Sequence, residues 1–147
     1  MRKIVLLSLA LAAGAVIAGS AVAASGGTPQ TVTVHMKGSN EVPKGTPTGS
    51  GTFRFQLIPS VGPSVGQVCF SLTWSKIDTP IASHIHKGAK GEAGSVVIVL
   101  FGTPPVKHSG CRNASKSLIR AIQQKPSAYY VNVHTRKYPN GAIRAQL

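Results

Sequence analysis

The sequence predicts a mainly β protein, an antiparallel β-sandwich with one short helix, and three observations carry that reading. Several short segments alternate apolar and polar residues with period two, as strands buried on one face must. Clusters of Gly, Pro, Asn and Ser punctuate them at short intervals. Only one stretch, near residues 115–125, has apolar residues at helical spacing.

Each element follows from its own residues. Gln30 to Gly38 reads as a strand with Val32, Val34 and Met36 on one side, and the Gly45–Gly51 run of Gly, Thr, Pro and Ser is a loop. Thr52 to Ile58 alternates Phe53, Phe55 and Leu57. Beyond the Pro59–Gly66 loop, Gln67 to Lys76 places Val68, Phe70, Leu72 and Trp74 on one face and Cys69 on the other. Ile81 to Lys87 is a strand carrying His84 and His86, and Ser95 to Phe101 is an apolar, β-branched run suited to burial on both faces. Asn113 or Ser115 caps a helix whose stripe is Leu118, Ile119 and Ile122, and Lys125 ends it ahead of Pro126. Ala128 to Thr135 and Ala142 to Leu147 are strands joined by the turn residues Pro139-Asn140-Gly141. About seven strands with one helical crossover make a sandwich.

The first 23 residues are read as an address, not as fold. Arg2 and Lys3 open the chain, Ile4 to Gly19 is largely apolar, and Ala21-Val22-Ala23 is a small-residue processing signal, so residues 1–23 form a secretory signal peptide. The apolar run is shorter than the roughly 20 residues a spanning helix needs. Cleavage near Ala23 leaves a flexible linker at 24–29 and one domain at 30–147, expected to be secreted or extracytoplasmic with no stable membrane span.

Of the 147 residues, 16 are Lys or Arg and only 3 are Asp or Glu, a net charge of +13. Arg2 and Lys3 leave with the signal peptide, so 14 basic against 3 acidic side chains give the mature chain +11. That balance favours anionic cell-surface polymers as partners. The basic residues are scattered, and few aromatics interleave with them, so no nucleic-acid partner is expected. Cys69 and Cys111, the only cysteines, are expected to pair in an oxidising compartment. Closing a loop of about 42 residues stabilises by roughly 4 kcal/mol in the chain-entropy model. With Cys69 facing away from the main core, Cys111 is expected to reach it from a covering loop.

Three motifs then stand in order: Gly38-Ser39-Asn40-Glu41-Val42-Pro43; His84-Ile85-His86 followed by Gly88, Gly91 and Gly94; and Tyr130-Val131-Asn132-Val133-His134-Thr135 running on to Pro139-Asn140-Gly141-Ala142-Ile143-Arg144. Together they resemble the signature of the CHRD domain, the module named after chordin, across essentially the whole mature chain. Lys44 and Ala145 depart from the family's more usual proline and glycine. The resemblance implies the β-sandwich, immunoglobulin-like or superoxide-dismutase-like in outline, and implies no activity, since the family carries no established biochemical function.

The histidines leave three readings open. Residues i and i+2 on a strand share a face with Cα atoms roughly 6.5 to 7 Å apart, so His84 and His86 can converge on one ion. His134 shares a face with Tyr130 and Asn132, and three imidazoles suit copper or zinc with an open position, Glu41 being a candidate partner for a ring N–H. The same residues can instead form a hydrogen-bonded polar corner, or serve as a pH switch. A likeness to copper-zinc superoxide dismutases, sandwiches with an H-x-H strand and one disulfide, stops short of that two-metal ligand set. His35 and His108 are expected to be solvated.

Catalysis by other means finds little support. Glu41, Asp78 and Glu92 are the only side-chain carboxylates, and the chain has no G-x-S-x-G, no G-x-x-x-x-G-K and no H-E-x-x-H. No catalytic residue is assigned. The sequence therefore points to a secreted, non-catalytic binding or structural module; the alternatives are a copper or zinc protein, redox-active in one form, and a basic adhesin for anionic polymers.

Overall fold

A computed structural model describes residues 29–102 and 105–147; the signal peptide and most of the linker read from the sequence lie outside these residues. Eight strands follow in order: β1 (Val32–Lys37), β2 (Ser50–Ile58), β3 (Val65–Ser75), β4 (Pro80–Lys87), β5 (Ser95–Gly102), β6 (Ser109–Ser115), β7 (Tyr129–Thr135) and β8 (Ile143–Gln146). One helix, α1 (Lys116–Gln124), lies between β6 and β7. The Ser115 hydroxyl caps it by accepting from the Leu118 N–H, which leaves Asn113 in β6. Ile119 and Ile122 are its buried stripe.

All pairings are antiparallel, in the order β5-β4-β7-β8-β1-β2-β3-β6, and the two edge strands β5 and β6 come back against each other. The sheet thus wraps around one core, as the mainly β, one-helix reading requires. Phe53, Phe55, Phe70, Leu72, Ile85, Val131, Val133 and Ile143 fill it, because alternate residues of each strand point inward. The helix packs on β2, β3 and β6, where a Cβ at Gly66 would run into Ile119.

Two expectations are corrected. Cys111 sits on a strand, β6, directly opposite Cys69 of β3, and not on a covering loop; the disulfide between them is formed. The Ser109–Ser115 segment shows no apolar alternation, so period-two reasoning passed over it. Secondly, β5 is not buried on both faces: Val96 and Val99 are 46% and 51% exposed while Ile98 and Leu100 face the core. An apolar run reports burial propensity, and it does not say whether a strand lies at an edge.

Candidate functional site

The central strand β7 is buried along its whole length. Its inner residues, Val131 and Val133, belong to the core, so Tyr130, Asn132 and His134 project to the other face. There they meet His84 and His86 of β4, whose intervening Ile85 also points into the core. Loops β4–β5 and β7–β8 bend over this outer face, which is why polar groups here are buried.

The three imidazoles converge. His84 Nδ1 lies 3.1 Å from His134 Nε2, and one nitrogen from each of His84, His86 and His134 falls within 4.8 Å of the others. Tetrahedral coordination at about 2.0–2.1 Å separates ligand nitrogens by roughly 3.4 Å, so small ring rotations close the set around an ion. His134 Nδ1–H donates to the Pro139 carbonyl at 2.9 Å, and His86 Nδ1–H donates to the Gly94 carbonyl at 2.8 Å. A neutral imidazole that donates from Nδ1 presents a lone pair at Nε2. His134 Nε2 also lies 2.9 Å from Asn132 Oδ1, whereas His86 Nε2 is buried with no hydrogen-bond partner.

Electrostatics keep His84 and His134 neutral. Burial, then the neighbouring His134 and His86, push the His84 imidazole down to about 4. Burial also lowers His134, partly offset by the bond to Pro139. An unprotonated ring is the form that ligates a metal.

Behind the histidines lies a stack. Tyr130 lies parallel to His86 at 4.7 Å between centroids, and the Arg144 guanidinium sits 3.3 Å from the Tyr130 ring centre. Arg144 is 2% exposed and donates to the carbonyls of Glu92 at 2.7 Å and Ala89 at 2.9 Å. These bonds pin the β4–β5 loop, which supplies Gly94. That glycine is tightly packed: a Cβ would collide with the Lys87 carbonyl, and its N–H donates to the Tyr130 hydroxyl at 3.1 Å.

Glu41 is in a different place from the one expected. The ring N–H groups of His86 and His134 go to backbone carbonyls, while the Glu41 carboxyl, 4% exposed, lies against Gly141 and feels the Arg144 charge. Gly141, at φ +134, has no room for a side chain because a Cβ there would strike that carboxyl. Burial pushes Glu41 up to about 8 against the pull of Arg144. His35 and His108 are exposed as expected, His108 stacked at 4.2 Å on Trp74.

The CHRD domain model matches residues 32–147. The chain belongs to the CHRD domain family. No curated protein and no solved structure matches it. Within the CHRD domain, the three sequence motifs meet in one corner. The Glu-Val-Pro segment brings Glu41 beside Arg144, the H-x-H strand leads into the loop whose Ala89 and Glu92 carbonyls hold Arg144, and the last motif supplies Tyr130, His134 and Arg144. Sequence reasoning found the histidines and overlooked Tyr130 and Arg144 as the groups that position them. The adjacent Ile143-Arg144 pair carried a signal, since Ile143 is the inward residue and Arg144 must then project with Tyr130 and Asn132.

Proposed function

We propose that this CHRD domain is an exported, non-catalytic binding module whose His84, His86 and His134 hold a copper or zinc ion. The observation that carries the reading is His86 Nε2, a buried acceptor without a partner on a ring whose other nitrogen is fixed to Gly94. A buried polar atom left unpaired costs about 1–3 kcal/mol, and a metal is the partner that three converging imidazoles favour. A hydrogen-bonded corner accounts for His134 and His84 but leaves this atom unexplained. Three protein ligands leave a coordination position for water or another donor.

Export rests on the leader pattern of residues 1–23 and agrees with a disulfide, which persists in oxidising compartments. Secreted protein is expected to begin at Ala24 by intact mass. Elemental analysis of tag-free protein from the secreted fraction, with zinc and copper titrations of metal-depleted protein, tests the site. One ion per chain, lost in His86→Ala with the fold retained by circular dichroism, is expected. Binding at full stoichiometry in His86→Ala would overturn the assignment.

A further inference from the structure

The opposite side of the molecule presents a second surface of different character. Strands β1, β2 and β3 turn their core residues Phe53, Phe55, Phe70 and Leu72 inward, so the alternate residues form an outer face. Its rows read Lys37–Ser50–Ser75, then His35–Thr52–Thr73, then Thr33–Arg54–Ser71 across the strands. The disulfide crosses from β3 to β6 on the same side and ties the fourth strand to this face. Two shallow depressions lie in it, of about 360 Å³ beside His35, Lys37 and Thr52 and about 210 Å³ beside Arg54, Gln56 and Ser71.

The chemistry is one-sided. Hydroxyls and amides alternate with Lys37, His35 and Arg54, and no carboxylate occurs among the described residues of the face. Lys37 and the Thr33–Arg54 row are four residues apart, roughly 13 Å along the strands, with His35 midway. The two fixed cations, Lys37 and Arg54, therefore stand apart along the strands and not around a single point, with the His35 imidazole between them. A chain with repeated negative charges matches a line; a single small anion does not need one. The hydroxyls and amides suit a partner that is itself rich in hydroxyl groups. Nucleic acid is the poorer match, because the His35 imidazole is the one ring in these rows on which a base could stack.

We propose that this β1–β2–β3 face docks a linear polysaccharide carrying carboxylates along its chain. The proposal is independent of the histidine site, since none of its residues touches His84, His86 or His134. Retention of the intact secreted protein on immobilised polygalacturonate, measured against salt concentration, tests it. The double variant Lys37→Ala/Arg54→Ala should lose roughly fivefold in affinity, the loss two exposed charge contacts account for, and show a shallower salt dependence. The charge-matched control Lys90→Ala/Arg120→Ala, on the β4–β5 loop and on α1, should bind as the unmodified protein does. Absence of retention, equal losses in the two variants, or tighter binding to single-stranded DNA at the same salt would each overturn the proposal.

Discussion

The guanidinium of Arg144 lies 3.3 Å from the centre of the Tyr130 ring, and that ring in turn lies against the imidazole of His86. The histidine corner is therefore held from behind by a residue on a different strand, β8, that touches none of its imidazoles. Two further bonds from Arg144, to Glu92 and Ala89, fix the loop whose Gly94 carbonyl sets the His86 tautomer.

Arg144→Lys should expose that dependence. A lysine retains the charge but lacks the planar fork that reaches two carbonyls and covers a ring face. The variant is expected to fold with stability lowered by roughly 2 kcal/mol, within the range for charged hydrogen bonds lost in a buried network. Its metal affinity should fall about tenfold, the lower end of what outer-shell substitutions cost. Denaturant unfolding of the metal-free form and zinc titration measure the two effects separately.

The disulfide joins residues directly opposite each other on adjacent strands, and one of those strands, β6, has little apolar surface of its own. Cys69→Ser is expected to lower stability by about 2–5 kcal/mol. Loss of protection should concentrate in β6, as hydrogen exchange would record. In unreduced protein neither cysteine should react with an alkylating agent.

Glu41 gives the fold a pH dependence of definite sign. Its carboxyl titrates near 8 when folded and near 4.5 when unfolded, so between those values the native state holds a proton that the unfolded chain has released. Stability from this group is thus present at low pH and declines as pH rises from about 4.5 to 8, by on the order of a few kcal/mol. His84 acts oppositely in the metal-free protein: lowered to about 4, it favours folding more as pH rises from 4 toward 6.5. Glu41→Gln should remove the decline above pH 6.5 in thermal melts and steepen the rise below it, where the two groups oppose each other in the unmodified protein.

How far the sequence carried the fold is clearest where it failed. Period-two alternation located the strands that bury one face, including β3 with Phe70 and Leu72 inward and Cys69 outward. It could not detect β6, whose residues alternate between exposed and half-buried without an apolar set, and it could not tell an edge from a centre in β5. The i, i+2 spacing of His84 and His86 was legible because it depends on local geometry alone. The pairing with His134 also required the β4–β7 register, which no local pattern contains. Glu41 was given to a histidine on chemical type, whereas the chain path places it against Gly141 and Arg144.

The last prediction concerns which nitrogen of His84 carries its proton. His134 donates from Nδ1 to Pro139, and burial disfavours its charged form, so its Nε2 is an acceptor, which requires the Asn132 amide, whose Oδ1 lies 2.9 Å away, to turn its NH2 toward it. His84 Nδ1 lies 3.1 Å from that acceptor and, being on a ring likewise held neutral, must bear the hydrogen that makes the contact favourable. A metal bound through His84 Nδ1 replaces this hydrogen, and the proton of the neutral ring then resides on Nε2. Nitrogen-15 spectra of the histidine side chains should therefore show His84 with Nδ1–H in metal-depleted protein and with Nε2–H once zinc is added. His86 and His134 should keep Nδ1–H in both states, because their carbonyl partners at Gly94 and Pro139 do not change. A His84 ring whose tautomer is the same with and without zinc would show that it does not ligate through Nδ1.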